Sequence, residues 1–114
     1  MAISGKGRRD KGAAFEREIA EMLRPVWPAA RRNLSQTRTA KVEGGDVQHT
    51  HPFHIECKRG VATIQSAIRQ AVRDCANSCY PVVVSRQDRG DTLVTMLASD
   101  WMLLVSAAYG EREE

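Results

Sequence analysis

The chain has 114 residues, of which 42% are hydrophobic and 27% are charged, values typical of one globular domain with a modest core. No apolar run approaches the roughly 20 residues that a membrane helix needs, and residues 1–12 lack the apolar segment of a secretion signal. These features argue against a membrane protein and favour a cytoplasmic one. Residues 1–59 hold 12 Lys/Arg against 7 Asp/Glu, a balance that fits either a polyanionic partner such as nucleic acid or an ordinary solvated surface.

The first predicted element is a helix over residues 10–24, preceded by a basic arm, residues 1–9, that we expect to be flexible. Asp10 is suited to the N-cap, and Pro25 ends the run. The helix should bury one apolar face, because its apolar residues recur at i, i+4, i+7 and i+8: Phe15, Ile19, Met22 and Leu23.

Three short strands are predicted next, at residues 31–34, 46–49 and 53–58. The polar segment between the first two ends in two glycines and is predicted to be a mobile loop. The last two strands are separated by "HTHP" and are predicted to form an antiparallel hairpin.

The second half of the chain is predicted to supply a long helix, two strands and a last helix. The long helix covers residues 63–80 and ends at Pro81. A strand, a helix and a strand in succession imply a right-handed crossover and a parallel pair. The order α-β-β-β-α-β-β-α predicts an α/β fold, a small mixed sheet flanked by helices. The remaining predictions are strands at 81–86 and 92–97, a helix from Ser99 or Asp100 to about 108, one domain over 10–108, and a frayed acidic tail over 109–114.

The three cysteines are an odd number and form no C-x-x-C pair, which argues against a disulfide framework. Buried thiols in a reducing compartment are the simplest interpretation. Cys75 and Cys79 are four residues apart and would share one helix face, so metal binding by this pair is a weaker alternative.

The candidate catalytic residues include members of the strand "FHIECKRG", in which Phe53, Ile55 and Cys57 alternate with polar residues. Glu56 and Lys58 therefore point to the same face. Asp46 follows Gly44–Gly45 on the neighbouring strand, and pairing of the strands would bring its carboxylate close to Glu56 or Lys58. Two carboxylates this close repel each other unless they share a divalent cation, and oxygen ligands suit Mg²⁺ or Mn²⁺. An amine beside them would orient water or stabilise charge on phosphorus. The alternative is a solvated surface pair of charges.

The segment "GGDV…HIECKRG" resembles the core of the PD-(D/E)xK nuclease superfamily, the enzymes of restriction-endonuclease-like fold. The upstream "DKGAAFEREIAEML" resembles the first helix of archaeal-type Holliday junction resolvases, which also occur in phages. Lys11, Gly12, Glu16 and Glu18 stand at positions of that helix pattern. The resemblance covers roughly residues 8–85. Gly45 departs from it, because a proline commonly precedes the aspartate.

The resemblance implies an active site of Glu16, Asp46, Glu56 and Lys58. Asp46, Glu56 and the backbone carbonyl of Cys57 would hold Mg²⁺ or Mn²⁺, and Glu16 would complete the cluster directly or through water. Helix geometry alone allows Glu16 or Glu18 to reach the site. The resemblance also implies a homodimer, since a resolvase cuts two strands symmetrically.

Several polar and basic residues are candidates for DNA contact. Ser35 is suggested by a loop serine of the resolvases, and Gln70 by a polar residue that many superfamily members carry on the long helix. His49, His51 and His54 are interpreted mainly as exposed turn residues, with phosphate contact or metal binding as alternatives. The basic candidates for phosphate contact are Lys6, Arg8, Arg9, Lys11, Arg31, Arg32, Arg38 and Lys41.

The predicted function is that of a Mg²⁺-dependent endonuclease, encoded by a phage or a cell, that cleaves four-way DNA junctions during recombination and repair. One alternative is a flap or branched-DNA nuclease of the virus-type replication-repair kind, which has the same Asp…Glu-x-Lys core. The other is a DNA-binding module without catalysis, or a protein-interaction domain. Cleavage and binding assays on different DNA structures would distinguish them.

Overall fold

The structure, a computed structural model, describes residues 5–34, 45–60, 63–75 and 79–110. The described elements follow the predicted order α-β-β-β-α-β-β-α, which confirms the α/β class. None of the described helices combines the length and the apolar character needed to cross a membrane. The elements are α1 (Gly5–Leu23), β1 (Arg31–Arg32), β2 (Val47–Gln48), β3 (Phe53–Arg59), α2 (Ile64–Asp74), β4 (Tyr80–Arg86), β5 (Leu93–Met96) and α3 (Ala98–Tyr109).

The main sheet has the order β3-β4-β5 and is mixed, as predicted. β3 and β4 are parallel and are connected through α2, whereas β4 and β5 are antiparallel. A second, two-stranded sheet joins β1 to β2 in antiparallel orientation. The fold therefore contains the parallel pair with its helical crossover, with a small ribbon added beside the main sheet.

The two long helices cover opposite faces of the main sheet. Phe15, Ile19 and Ala20 of α1 form a buried cluster with alternate residues of β3 and β4, including Ile55 and Cys57. Val83 lies between Val82 and Val84 in β4 and instead packs against Ala67 and Ala71 of α2. Because successive side chains of a strand point to opposite faces, this division places α1 on one face and α2 on the other.

The predicted hairpin between residues 46–49 and 53–58 is wrong. β2 pairs with β1, with Arg31 opposite Gln48 and Arg32 opposite Val47. Within the described residues, an isolated bridge of parallel sense, Gly45 to Ile55, is what joins this part of the chain to β3. The backbone of β2 is hydrogen-bonded to β1, which lies 15 residues or more upstream. Local patterning does not reveal a partner at this distance.

Two helix boundaries also differ from prediction. α1 begins at Gly5, so residues 5–9 of the predicted flexible arm are helical. Lys and Arg are good helix formers, and no proline interrupts their extension of the helix. α2 ends at Asp74, and Tyr80 belongs to β4, where its backbone N–H donates to Pro52 O at 2.8 Å. Residues 1–4 and 111–114 lie outside the described residues, and α3 extends one residue into the predicted tail.

Cys57 is free and buried, as the interpretation of buried thiols predicts, whereas Cys75 and Cys79 are half-buried, with their sulfur atoms in contact and their Cα atoms 6.2 Å apart. Cys75 adopts extended backbone angles just after α2, so the two residues do not share a helix face as the spacing had suggested.

Candidate active site

The polar side chains of β3 lie on the face of the strand that α2 covers. Ile55 and Cys57 belong to the core beneath α1, so His54, Glu56 and Lys58 point the other way. Glu56 is buried and Lys58 is half-buried. The parallel register sets Lys58 beside Ser85, at the carboxyl end of the β3–β4 pair. The acid and the amine thus share one face of one strand, as the spacing predicts.

Asp46 lies against the edge of β3 that faces away from β4. Its backbone N–H donates to Ile55 O at 2.8 Å, and its Oδ2 accepts a hydrogen bond from Cys57 N–H at 2.8 Å. The carboxyl group also contacts that of Glu56 closely enough to hydrogen-bond when one of them is protonated. The two carboxylates therefore converge, although a bridge and a side-chain contact, rather than a hairpin, bring them together.

Asn33 holds the segment that carries Asp46 and was missed in the sequence analysis. It is buried, its Nδ2 donates to Gly45 O at 2.8 Å, and its backbone N–H donates to Asp46 O at 2.9 Å. A lone asparagine after "ARR" carries no periodic or motif pattern that would mark it. Its importance follows from the β1–β2 pairing, which the sequence did not predict.

Gly45 explains the departure from the superfamily's proline. Its φ is +66°, in the left-handed region, and a Cβ built at this position would lie 2.5 Å from Ile55 O. Proline is restricted to φ near −65° and would also add the atoms for which there is no space. Glycine is therefore required by this backbone path, a stronger reason than the general tolerance of turns for glycine.

The pKa values of the two carboxyl groups are shifted in opposite directions. Burial, followed by the charge of Glu56, raises the pKa of Asp46 to about 7, although the hydrogen bond from Cys57 opposes the shift. Burial acts to raise the pKa of Glu56 as well, but hydrogen bonds from His54 and Asp46 outweigh it and lower that pKa overall. The raised pKa of Asp46 reflects the burial of several acidic groups close together, Glu16 and Glu56 among them.

The structure distinguishes Glu16 from Glu18. The side chain of Glu16 is 12% exposed and accepts a hydrogen bond from Arg32 Nε at 2.7 Å, and its charge contributes to the raised pKa of Asp46. Glu18 is 52% exposed and pairs with Arg86. Glu16 is thus the acidic residue of α1 that lies beside Asp46, as the resemblance implies and as helix geometry alone left open.

Lys58 borders an open cavity of about 260 Å³ at the carboxyl ends of β3 and β4. Its ammonium has no hydrogen bond or ion pair within the described part of the chain, whereas its neighbour Arg59 pairs with Asp88. Its charge helps to lower the pKa of Glu56. The other residues that line the cavity include Gly60, Ser85, Gln87 and Asp91.

The basic candidates fall into three groups. Lys6, Arg8 and Arg9 are exposed on the first turns of α1, and Arg31 is exposed on β1. Lys11 and Arg32 are engaged within the chain, Lys11 with Asp88 at 2.6 Å and Arg32 with Glu16, so neither is a free phosphate ligand. Gln70 is half-buried on α2. The candidates Ser35, Arg38 and Lys41 lie outside the described residues.

The three histidines do not form a cluster. His49 and His51 are exposed, as interpreted for turn residues, whereas His54 is buried with its Nε2 2.8 Å from Glu56 Oε1. Over the described ranges, no group of three or more His, Cys, Asp or Glu side chains has the arrangement of a metal site. The metal-binding alternative for the histidines therefore has no support, and His54 belongs with Glu56 instead.

The donor atoms around Asp46 nevertheless suit a hard divalent cation. Asp46 and Glu56 contribute carboxylate oxygens, and the carbonyl of Cys57 points to the same strand edge as its N–H group, which binds Asp46. Oxygen ligands of this kind fit Mg²⁺ or Mn²⁺. A cation would also replace the proton that the raised pKa of Asp46 retains, so the residues present fit the metal that the superfamily implies.

A family model described as "Phage putative PDDEXK endonuclease" matches residues 7–111, nearly the whole chain. The chain belongs to this family. Its members are nucleases of the PD-(D/E)xK superfamily, enzymes that act on DNA and generally use divalent metals, so the resemblance to that superfamily is confirmed. The match does not identify the chain as a Holliday junction resolvase. No curated protein and no solved structure matches the chain.

Proposed function

We propose that this family member is a Mg²⁺- or Mn²⁺-dependent endonuclease that hydrolyses phosphodiester bonds in four-way DNA junctions, in the cytoplasm of the host of a phage. The observation that carries the proposal is the contact between the Asp46 and Glu56 carboxyl groups, with the amine of Lys58 on the same face as Glu56. A pair of acids that retains a proton near neutral pH is costly for folding and is typical of a site built for a cation.

Asp46, Glu56 and the carbonyl of Cys57 would hold the metal, with Glu16 contributing directly or through water. When bound, such a metal supplies Lewis-acid stabilisation of the charge that develops on phosphate and lowers the pKa of a bound water. Lys58 Nζ would donate hydrogen bonds to the attacking water and to a non-bridging phosphate oxygen, which fixes the line of attack and offsets charge on phosphorus. Arg32 would keep the carboxylate of Glu16 turned towards Asp46.

Exposed cations on α1 and β1 support a path for the DNA backbone. Lys6, Arg9 and Arg31 are exposed and belong to elements that are adjacent to each other, and α1 also carries Glu16 of the site. Ser35, Arg38, Lys41 and Gln70 remain candidates for further contacts. Each phosphate that these residues neutralise should steepen the loss of affinity with rising salt by about one unit of the logarithmic slope.

A preference for four-way junctions implies a homodimer, because symmetric cleavage needs two active sites related by a two-fold axis. An exposed apolar surface supports this part of the proposal. None of the residues of α3 is buried, and among the described residues β5 forms an outer strand of the main sheet. We use the name α3–β5 surface for the large apolar side chains that are exposed on or between these two elements. They are Leu93, which also lines the Lys58 cavity, and Val94, Leu97, Trp101, Met102, Leu103 and Tyr109, exposed by 39% to 79%.

The composition of the α3–β5 surface favours a second copy of the chain as its partner. Trp101, Met102 and Tyr109 are of the residue types that are enriched at protein–protein interfaces. Asp100 is the one charged residue within α3, so the helix offers little to DNA. Leu104 and Val105 are half-buried, so they offer less exposed apolar area than Trp101.

A cleavage assay across DNA structures tests the proposed function. Purified protein with Mg²⁺ should nick four-way junctions in preference to flaps, duplexes and single strands, and chelation of the metal should stop cleavage. Equal cutting of flaps and junctions would favour the replication-repair alternative. Binding of junctions without cutting under Mg²⁺ or Mn²⁺ would indicate a binding module, and absence of binding at low salt would contradict both nuclease functions.

A further inference from the structure

His54 contacts Glu56 and the backbone beside Asp46 in the candidate site. It is 6% exposed, on the same face of β3 as Glu56, and its Nε2 lies 2.8 Å from Glu56 Oε1. On its other side, the Nε2 atom lies 3.2 Å from the point where a Cβ of Gly45 would be. The ring therefore contacts the side chain of one proposed ligand and the backbone next to the other, Asp46.

The hydrogen bond engages one of the two oxygens of Glu56. A carboxylate on a strand can rotate about its terminal torsion, which is broad, unless a neighbour fixes it. With Nε2 protonated, His54 donates to Oε1 and leaves Oε2 available to other partners, and the carboxyl group of Asp46 is a further partner of the Glu56 side chain. Such outer partners commonly orient metal ligands, and their loss costs about 10- to 100-fold in metal affinity.

We infer that His54 is a positioning residue that holds the Glu56 carboxylate in the orientation required to bind a divalent cation together with Asp46. This inference rests on the proposed metal-dependent function and assigns to this chain a residue outside the Asp…Glu-x-Lys pattern. The alternative is a histidine that only fills space beneath α2. The two differ in whether the loss of the donor changes metal affinity once the protein is folded.

A matched pair of amide variants separates these roles. In His54→Gln the side-chain amide can reach Glu56 Oε1, whereas in His54→Asn it is one methylene shorter and cannot. His49→Asn serves as the control, because His49 is exposed and its φ of +66° is one that asparagine tolerates. Mn²⁺ affinity would be measured by electron paramagnetic resonance on the full chain without DNA, and folding would be checked by thermal unfolding.

We expect His54→Asn to weaken Mn²⁺ binding about 10- to 100-fold and His54→Gln to remain within about threefold of wild type. The His49→Asn control should bind like wild type. Unchanged affinity in folded His54→Asn, or an equal loss in His54→Gln, would overturn the positioning role alone. Cleavage with Mg²⁺ by wild type would then still support the proposed function. A wild type that neither binds Mn²⁺ nor cuts DNA would overturn that function and this inference together.

Discussion

Two regions of the molecule depart from the usual distribution of residues in opposite ways. At the edge of β3, Glu56 is buried beside Asp46 and within range of Glu16, so charge lies where apolar side chains are normally found. On the α3–β5 surface, Trp101 and Leu103 are exposed by 53% and 59%, so apolar area lies where charge is normally found. Neither arrangement stabilises an isolated chain. The buried acids are suited to a cation, and the exposed apolar surface is suited to another protein surface.

The largest expected effect concerns the amine of Lys58 at the candidate active site. Lys58→Ala should lower cleavage by about 10²- to 10³-fold, because a donor aimed at the developing charge is lost, while DNA affinity stays close to wild type. Arg59→Ala is the matched control, since the adjacent Arg59 points to the other face and pairs with Asp88. Single-turnover cleavage and a binding titration would measure both. Equal losses in the two variants would show that general charge, rather than position, is what matters.

Gly45 provides the next test of the candidate active site. Gly45→Ala should destabilise the fold by about 2 kcal/mol or more, because the new Cβ meets Ile55 O in a backbone conformation that alanine rarely adopts. Gly12→Ala has open space and a helical backbone, so it should stabilise α1 by up to about 1 kcal/mol. Urea unfolding of the two variants gives the comparison. A stable Gly45→Ala protein would contradict the backbone path assigned to Asp46.

On the α3–β5 surface, Trp101→Glu should weaken self-association by about 30-fold or more, because a large apolar side chain is replaced by a charge that is costly to bury. The free energy of unfolding of the monomer should change little, because Trp101 packs weakly within its own chain. Sedimentation velocity at several concentrations measures association. Val26→Glu is the control, as Val26 is 68% exposed away from the α3–β5 surface. A monomeric wild type would show that a different partner covers this surface.

The smallest effect is the gain in stability from neutralising one buried acid. The pKa of Asp46 is raised to about 7 in the fold, above its unfolded value, so wild type loses stability as pH rises from about 4 to about 7. Asp46→Asn should therefore be more stable than wild type by about 1–3 kcal/mol at pH 8 with chelator, and the gain should vanish near pH 4.

The matched control for that variant is Asp88→Asn. The pKa of Asp88 is lowered by hydrogen bonds from Lys11 and Arg59, so this substitution should destabilise the protein at pH 8. Thermal unfolding across pH measures both differences. If Asp46→Asn destabilised the protein at pH 8 as Asp88→Asn does, the raised pKa of Asp46 and the repulsion behind it would be wrong.

Local periodicity predicted much of the fold, and it failed where distant partners decide the structure. The spacing of Phe15 and Ile19 predicted the buried face of α1, and alternation along β3 predicted which residues face the core. The hairpin was wrong because β2 pairs with β1, which lies at least 15 residues upstream, and neither two-residue strand carries enough pattern to reveal its partner. The end of α2 was misplaced because pairing of Tyr80 with its neighbours overrode helical spacing.

The motif residues of the candidate site could be predicted from the sequence, but the residues that surround and position them could not. Asp46, Glu56 and Lys58 were identified from spacing and resemblance, and preference for Glu16 over Glu18 needed the resemblance. Asn33 acts through contacts that depend on the tertiary structure, so no spacing rule marks it. Alternation along β3 placed His54 on the face of Glu56, where it could line the cleft, but did not reveal its hydrogen bond to that residue. The loss of Arg32 as a phosphate candidate has the same origin, since its bond to Glu16 connects β1 with α1.

The most direct test of the central claim is anomalous X-ray diffraction from crystals soaked in Mn²⁺. We predict one strong anomalous peak between Asp46 and Glu56, within about 2.0–2.3 Å of a carboxylate oxygen of each and of the Cys57 carbonyl. The same soak of Asp46→Asn should lose that peak. A peak at the exposed histidines with none beside Asp46, in a protein that cleaves DNA under Mn²⁺, would contradict the account.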